Sequence, residues 1–537
     1  MNEHKSTIGS YLKAAALATS IALPGCTVLG PDFEEPVQPA LPSDWQPEES
    51  AQLSQAEMAW WQLFNDPVLN ELVESGARQN LSLEAAGLRI VQARAALGIS
   101  DALIFPQQQR VSGNLGKAYQ NEKSFNSAGI GLDVGWEMDI WGKYARGIET
   151  SEANLYASVA SYRDVLVTIT AEIARNYVNY RTAQERTALS RQNIGIQKRV
   201  VAMTQVQFDS GNVSELDVQQ ALTQLYATES SLPGLNINKL QSRNALAVLL
   251  GTLPEQVEVI LSSGEVQDSN TSQDQPLSIG TSRGDTESLT AVEYEEDSMI
   301  PVAPTLATEI DPALVMRRPD LQVAQLRAQA QSARIGAAET NLYPQFFLFG
   351  SIGVSETVRT GDSFSASNAV TAAVGPGISW NILQYDRIKN QVRIEDALFQ
   401  ESLTNYNQQV LEAVQEVSNA LVGYQYTLQR KEYDFNAVKA AIRAFNISAN
   451  QYNNGLVTYQ RLLSTVEKMT LREDVYAQTR GSIAIQAIAL YKSLGGGWEP
   501  YANLPVVKPE TVKQMQSRTD WGEYLEPETI TGDDRDE

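Results

Sequence analysis

Residues 130–140 read IGLDVGWEMDI, and apolar and polar residues alternate along this stretch. Ile130, Leu132, Val134 and Trp136 share one side of the alternation, whereas glycines and acidic residues occupy the other. A period of two predicts a β-strand. Such a strand can belong to a soluble sandwich, or to a membrane barrel in which one face meets lipid and the other a wet lumen.

The period of the apolar residues changes directly after this strand. Residues 143–208 contain no proline and few glycines, which predicts one long helix. At about 1.5 Å per residue, a helix over this stretch would reach about 100 Å. Later in the chain, apolar residues recur at spacings of 4 and 3, which is typical of a coiled-coil seam. These residues are Val410, Val414, Val417, Leu421, Tyr424 and Leu428.

The chain contains this strand-to-helix unit twice. An offset of 244 residues superposes Trp136 on Trp380, and an upstream offset of 238 superposes Pro106 on Pro344. Two copies of about 190 residues predict one pseudo-symmetric structure in place of separate domains.

Each copy contributes a predicted β-hairpin, one at about 107–140 and one at about 345–382. In the second hairpin, Val374, Ile378 and Trp380 take the apolar positions. Two hairpins are too few to close a barrel, and a β-structure in lipid leaves no open edge. We therefore expect several chains to contribute strands to one barrel.

The composition excludes several functions. The chain of 537 residues has one histidine, His4, and one cysteine, Cys26, both near its N-terminus. The 511 residues after Cys26 have no imidazole or thiol, which excludes a histidine-based triad, a zinc site or a catalytic thiol there. The formal net charge is −23 without a basic run, so nucleic acid is not an expected partner. No paired-carboxylate or phosphate-binding motif stands out, and we expect no enzymatic activity, no metal and no cofactor.

Most of the negative charge lies in two segments. Residues 252–305 hold eleven acidic residues and one basic residue, and residues 499–537 hold ten and four. Both segments are polar and rich in Ser, Thr and Asp, which predicts solvated, partly disordered chain outside any helical barrel.

The N-terminus has the pattern of a bacterial secretory signal. Two lysines precede an apolar run that ends in LPGC at residues 23–26. A plain signal peptide with a chance cysteine is one interpretation. The small residue before Cys26 favours a lipoprotein signal, in which the cysteine carries a lipid anchor. Thr27 stands where an aspartate would favour the inner membrane, so we expect the outer membrane of a Gram-negative bacterium.

Several motifs, in the right order, resemble those of the TolC-like outer-membrane efflux ducts, in their lipoprotein (NodT/OprM-like) branch. The resemblance runs from about Cys26 to Trp498, which is nearly the whole mature chain. The motifs are LPGC, the following GPDFEEP, WWQLFNDPVLNELV from Trp60, RRPDL at 317–321, the two glycine-containing helix turns and LGGGW at 494–498.

The resemblance implies a mixed α and membrane β fold. Each protomer of a homotrimer would give four strands to a twelve-stranded outer-membrane β-barrel, continued by a long periplasmic α-helical barrel. It also implies the exit channel of a tripartite pump for drugs or other small toxic compounds. Its partners would be a periplasmic membrane-fusion adaptor, an inner-membrane RND-type transporter and outer-membrane lipid.

Two alternatives remain open at this point. An exit duct for type I protein secretion would have the same architecture. A trimeric coiled-coil surface or scaffold lipoprotein without a pore belongs to another class. The two-faced strands argue against that scaffold, whereas the helical seam alone would not.

The resemblance places two helical tips at the periplasmic mouth, against the adaptor. The residues expected to contact the adaptor are Gly211, Asn212, Val213, Gly455, Leu456 and Val457. Ordinary helix ends, closed by glycine in the left-handed conformation, are the alternative interpretation of the same residues.

The expected gate departs from the family pattern. Family members commonly place aspartates beyond the second tip, where this chain has Arg461, Ser464 and Thr465. Asp217 holds the position in the first repeat that is equivalent to Arg461, and Tyr452 lies just before the second tip. One hypothesis is that Asp217 and Arg461 form an ion pair that closes the mouth. The alternative is two solvated charges, since exposed pairs contribute little.

These interpretations divide the chain into six parts. They are a lipoprotein signal peptide (1–25), a lipidated N-terminal extension (26–59), the first repeat (60–251), an acidic linker (252–305), the second repeat (306–498) and an acidic C-terminal tail (499–537).

Overall fold

The computed structural model describes residues 27–36, 58–263, 298–305, 315–363 and 369–525. The signal peptide, Cys26 and residues 264–297 of the acidic linker lie outside the described residues. Long helices predominate, and one four-stranded sheet accompanies them. The predicted combination of helices and strands is therefore confirmed.

The first repeat begins with a short 3-10 helix at Trp60–Phe64. Its further elements are α1 (Pro67–Gln79), α2 (Leu81–Ala102), β1 (Gln108–Gln120), β2 (Lys123–Met138), α3 (Lys143–Asp209) and α4 (Glu215–Leu249), and α5 (Pro254–Ser263) follows in the linker. Helix α3 has 67 residues without a break, as the proline-free sequence predicts. At about 1.5 Å per residue it is about 100 Å long.

In the second repeat the described elements follow the order of α2 to α4 in the first. They are α6 (Pro319–Glu339), β3 (Gln345–Arg359), β4 (Val370–Ser379), α7 (Tyr385–Asn453) and α8 (Tyr459–Ser493), and α9 (Pro509–Arg518) follows. Helix α7 has 69 residues, close to the 67 of α3, and α8 and α4 have 35 residues each. The matching lengths agree with the repeat seen in the sequence.

The four strands form one antiparallel sheet in the order β1-β2-β3-β4. Both predicted hairpins are present, and the central contact joins β2 of the first repeat to β3 of the second. Within the described residues, β1 pairs only with β2, and β4 pairs only with β3. Each outer edge therefore carries a row of backbone N–H and C=O groups without ladder partners.

The long helices form a layer one helix thick. Away from the sheet, α4 packs on α3, α3 on α8, and α8 on α7. Next to the sheet, α2 packs on α3, α3 on α6, and α6 on α7. The chain thus presents four elements side by side in both helical zones and in the sheet.

No single helix in the described ranges is long and apolar enough to cross a membrane. One pair of helices, Glu215–Leu249 with Pro254–Ser262, meets the requirements of length and composition together, but the pair is bent by 107°.

The main hydrophobic core forms around Trp60 and Trp61, which are almost completely buried. Trp60 stacks on Tyr491 with ring centroids 5.5 Å apart, and Trp61 stacks on Tyr501 at 5.8 Å. Such aromatic pairs stabilise beyond the area that they bury. Trp60 therefore joins the start of the first repeat to the end of the second, and Trp61 joins it to the C-terminal tail.

The pseudo-symmetry extends to single hydrogen bonds. Trp136 donates its indole N–H to the carbonyl of Ile104 at 2.9 Å, and Trp380 donates to the carbonyl of Leu342 at 3.0 Å. The two tryptophans are 244 residues apart and the two acceptors 238, which are the offsets found in the sequence. Each bond ties the helical end of a strand to the segment that leads into the hairpin.

A second pair of equivalent contacts was not predicted. Asn80, the N-cap of α2, donates its side-chain amide to the carbonyl of Leu249 at 2.7 Å. Arg318, the N-cap of α6, donates to the carbonyl of Ser493 at 2.9 Å. Each repeat thus ties the start of its first long helix to the end of its last one.

Replacing Arg318 with Met is expected to destabilise the fold. The side chain of Arg318 is buried and pairs with Asp320 and Glu416, each at 2.8 Å. Its loss leaves the carbonyl of Ser493 without this donor and the two carboxylates without their cation, a cost of about 2–3 kcal/mol. Thermal unfolding followed by circular dichroism measures the change. Arg317→Met is the matched control because Arg317 is exposed, and equal melting temperatures for the two variants would contradict the prediction.

The acidic segments are more ordered than predicted. In the linker, Val257 and Leu261 of α5 are completely buried. In the tail, Met515 of α9 belongs to a small buried cluster with Val91 of α2. The expectation of solvated chain is therefore wrong for these two helices. The net charge of a segment does not reveal the few apolar residues by which each helix packs against its neighbours.

Candidate functional site

The register of the sheet collects the predicted apolar positions on one face. Leu132 opposes Ile352, and Ile352 opposes Ala372, so these three share a face. Val374 on this face is 80% exposed. The predicted residues here are Ile130, Leu132, Val134, Trp136, Val374 and Ile378, with Trp380 directly after the end of β4. From Ile130 to the end of the sheet that joins the helices, every residue on this face of β2, β3 and β4 is apolar, glycine, proline or tryptophan.

The opposite face of the sheet is polar. Arg110 of β1 opposes Asp133 of β2. At the helical end, Glu137 accepts hydrogen bonds from Lys143 at 2.9 Å and from the hydroxyl of Tyr144 at 2.8 Å. This end of the face contains a concavity of about 740 Å³. One apolar face and one polar, glycine-rich face are the two surfaces that a strand between lipid and water needs.

Both helical hairpins end in the same glycine turn. Gly211 has a φ of +73° and Gly455 a φ of +68°, which is the left-handed region that glycine adopts without steric cost. The next residue in each turn donates its N–H to a carbonyl five residues back, at 2.9 Å from Asn212 and 2.8 Å from Leu456. These are Schellman turns. The glycines therefore close helices, and the same turns leave Leu456 73% exposed at the tip.

Within one chain, Asp217 does not form the hypothesised pair with Arg461. The carboxylate of Asp217 accepts hydrogen bonds from the backbone N–H and the hydroxyl of Ser214, at 3.0 and 2.9 Å. No ion pair among the described residues joins Asp217 to Arg461, which is exposed. A carboxylate three residues after a serine N-cap forms a capping box. Asp217 makes this local contact instead of the ion pair with Arg461.

Tyr452 is the most buried of the predicted gate residues. Its ring centroid lies 6.1 Å from that of Tyr459, and Thr204 of α3 is buried beside it. The buried hydroxyl of Tyr452 has no hydrogen-bond partner among the described residues. Ser464 and Thr465 are half-buried on α8, where Thr465 donates to a carbonyl of its own helix at 2.7 Å. Sequence reasoning missed Tyr459 and Thr204. Only the packing of α3 and α7 against α8 reveals the cluster.

A buried carboxylate lies between α3 and α8. Glu473 is 7% exposed and accepts a hydrogen bond from the side-chain amide of Asn193 at 2.7 Å. Burial raises the pKa of Glu473 above its ordinary value because the interior disfavours the charged form, and the bond from Asn193 offsets this only in part.

Glu473→Gln is expected to stabilise the protein in a pH-dependent way. With a raised pKa, the folded chain binds more protons than the unfolded chain, so the free energy of unfolding falls as pH rises above the ordinary value of 4.5. The variant lacks this loss, and its melting temperature should exceed that of the wild type by about 2 °C at pH 8 but not at pH 4. Glu467→Gln, on the exposed side of α8, is the control. An equal gain at both pH values would refute the explanation.

The segment after Cys26 is held where the strands meet the helices. Arg146, near the start of α3, is 3% exposed and donates to the carbonyls of Leu29 and Gly30 at 3.0 and 3.2 Å. It also donates to the carboxylate of Asp32 at 2.9 Å. The GPD of the GPDFEEP motif therefore attaches the N-terminal segment to the junction of sheet and helices.

A sheet with one apolar and one polar face, continued by a single layer of helices about 100 Å long, defines an outer-membrane channel with a helical duct. The family of outer membrane efflux proteins matches residues 72–252 and 312–496, and the chain belongs to this family. The two matched segments lie in the two repeats. The resemblance to the TolC-like efflux ducts is thereby confirmed, together with the function as an efflux channel and the location in the outer membrane.

Individual relatives agree over nearly the whole chain. Nodulation protein T of Rhizobium leguminosarum bv. trifolii is 27% identical over 492 residues, which cover 90% of this chain and 97% of that protein. The probable outer membrane lipoprotein SilC of Salmonella typhimurium is 23% identical over 493 residues, 91% of this chain and 99% of that protein. The solved outer-membrane channel OprN has a TM-score of 0.72 and 30% identity, covering 88% of this chain and 100% of its own.

Proposed function

We propose that three copies of this chain close edge to edge into one efflux duct. Each copy supplies four strands whose outer edges, on β1 and β4, are open. A β-structure in lipid tolerates no open edge. Two copies would give an eight-stranded barrel, whose interior is filled by side chains. Three copies give twelve strands, which leave a water-filled lumen. A trimer is thus the smallest closed assembly that can conduct cargo.

The helical layer supports the same closure. Helices α4 and α7 lie at its two ends and expose apolar residues in stripes, at intervals that keep to one helix face. The stripes are Tyr226, Ile237, Leu240 and Val248 on α4, and Leu411, Val422, Tyr426 and Tyr433 on α7. Packing α4 of one copy on α7 of the next buries both stripes and closes an α-helical barrel.

In this proposal Cys26 carries the covalent lipid. The residues that follow it are held by Arg146, beside the helical end of β2. The apolar face of the sheet ends at the same level, so acyl chains on Cys26 enter the membrane leaflet next to the barrel. The name of one relative, outer membrane lipoprotein, supports this anchor. No other covalent or bound group is assigned to the chain.

The helical tips are the proposed contact with a periplasmic membrane-fusion adaptor, which links the duct to an inner-membrane RND-type transporter. Exposed Leu456 supports this role because a large apolar side chain at a tip gains from being covered. The contact residues are Gly211, Asn212, Val213, Gly455, Leu456 and Val457. Tyr452, Ser464 and Thr465 remain gate candidates, and so do Asp217 and Arg461 as separate residues.

Cargo passes through without chemical change, and the chain acts as no enzyme. Relatives are named for pyoverdine export, toluene efflux and cation efflux. Because channels of one family serve such different cargoes, we assign the choice of cargo mainly to the inner-membrane transporter. Drugs or other small toxic compounds are the proposed cargo here.

The two-faced sheet with open edges carries this proposal. A scaffold lipoprotein without a pore has no need of a polar face opposite an apolar one. A duct for type I protein secretion would use the same sheet, so an experiment must separate the two.

Accumulation of a fluorescent dye and of a panel of antibiotics tests the function in cells that lack the gene. Deletion is expected to raise accumulation, and the restored wild-type gene is expected to lower it again. Unchanged accumulation together with loss of a secreted protein from the medium would favour type I secretion. No change in either readout would contradict both ducts.

A further inference from the structure

Two phenylalanines interrupt the polar face of the sheet. Phe347 of β3 opposes Glu137 of β2, and Phe349 opposes Gly135, which places both rings on the face of Asp133. Phe349 is 42% exposed. Large apolar side chains on a wetted surface forgo the gain of burial, so a pair of them on an otherwise polar face requires an explanation.

The rings lie over glycines of the neighbouring strand. Gly377 opposes Phe347 and Gly375 opposes Phe349. A Cβ atom on Gly377 would lie 2.2 Å from Cε2 of Phe347, and one on Gly375 would lie 3.4 Å from Cζ of Phe349. The two ring centroids are 6.5 Å apart, with planes inclined by 43°. Each ring therefore rests one side on the backbone of β4. Contact with the glycines accounts for the burial of one side of each ring. The other side is available for a ligand.

The available sides of the rings line the concavity of about 740 Å³ on the polar face. The charges of this concavity balance, since Arg110 opposes Asp133 across the strands and Glu137 is paired with Lys143. Gln108, Gln345, Ser112, Ser351 and Tyr144 are among the other lining residues, whereas the amide of Gln107 is bonded to the backbone. Balanced charge disfavours an ionic ligand. Ring faces beside polar side chains fit an uncharged aromatic molecule with a polar substituent. Its ring would stack on the phenylalanines, and its substituent would hydrogen-bond to the polar side chains.

We propose that Phe347 and Phe349 form an aromatic contact site for uncharged aromatic compounds on the wall of the channel. The site rests on the proposed three-copy duct, in which the polar face lines the lumen. Three copies then place six rings at the level where the β-barrel meets the helices. Each ring is expected to raise affinity about two- to tenfold. A contact of this strength retains a passing molecule briefly without trapping it.

Current through the full-length protein in planar lipid bilayers tests the site. The measured quantity is the concentration of benzamide that halves the current. Cyclohexanecarboxamide is the matched probe, because it has the same amide and a similar shape but no aromatic ring. On the wild type, benzamide is expected to act at about fivefold lower concentration. The double variant Phe347→Leu, Phe349→Leu keeps apolar bulk but should lose this preference, and the corresponding double Tyr variant should keep it.

Phe346→Leu is the matched protein control, since Phe346 lies in the same strand on the apolar face. It should retain the preference for benzamide, and an unchanged conductance shows that each variant has folded. Equal potency of the two probes on the wild type would overturn the site, as would a preference that survives in the double Leu variant. Recovery of the protein only as a single chain contradicts the duct and the site together, whereas a current without aromatic preference contradicts the site alone.

Discussion

Val374→Arg is expected to prevent insertion of the chain into the outer membrane. Val374 lies within β4 on the apolar face and is 80% exposed in a single chain, so lipid is its proposed neighbour. An arginine at the centre of a bilayer costs about 2–4 kcal/mol on a barrel surface, or about 6–12 kcal/mol for the three copies of one channel. Quantitative immunoblotting of the outer-membrane fraction should show a loss of about tenfold or more.

Ala373→Arg is the matched control for this prediction. Ala373 is the adjacent residue and opposes Ser351, so its side chain lies on the polar face. An arginine there meets water in the lumen, and the variant should insert as the wild type does. Equal losses for the two variants would mean that the faces of the sheet are wrongly assigned.

Leu456→Asp is expected to abolish efflux while the protein still folds and inserts. Leu456 follows the tip glycine, is 73% exposed, and holds its turn through its backbone N–H, which aspartate retains. If the adaptor covers this side chain, a carboxylate buried without a partner costs about 2–3 kcal/mol, which weakens docking about 30- to 150-fold. Dye accumulation in cells carrying the variant should equal that of cells without the gene.

Val302→Asp controls for added charge on an exposed apolar position. Val302 is 72% exposed in the segment between the repeats, away from both tips. This variant should restore efflux fully. The proposed role of the tip is refuted if Leu456→Asp also restores efflux, or if Val302→Asp abolishes it.

The repeating local patterns of the sequence were sufficient to predict the main elements. The alternation at 130–140 predicted β2, because side chains of a strand point to opposite faces at every step. The absence of proline from 143 to 208 predicted α3. The two repeat offsets even agree with the hydrogen bonds of Trp136 and Trp380. Each of these signals depends only on neighbours along the chain or on the comparison of the two copies.

Contacts between distant segments could not be predicted in the same way. The buried pairing of Arg318 with Glu416 joins residues 98 positions apart, and a lone RRPDL motif indicates only a helix start. The capping box formed by Ser214 and Asp217 is local, but the sequence alone left open whether Asp217 pairs with Arg461 or is solvated. Phe347 and Phe349 read as ordinary strand residues until the register showed which face they share.

Native mass spectrometry of the protein, extracted from the outer membrane in detergent, tests the proposed duct most directly. The account predicts one species with the mass of three chains. Each chain should begin at Cys26 and carry the added mass of its acyl groups. A species of one or two chains would contradict the account, because β1 and β4 would then keep open edges in lipid or enclose too few strands for a lumen.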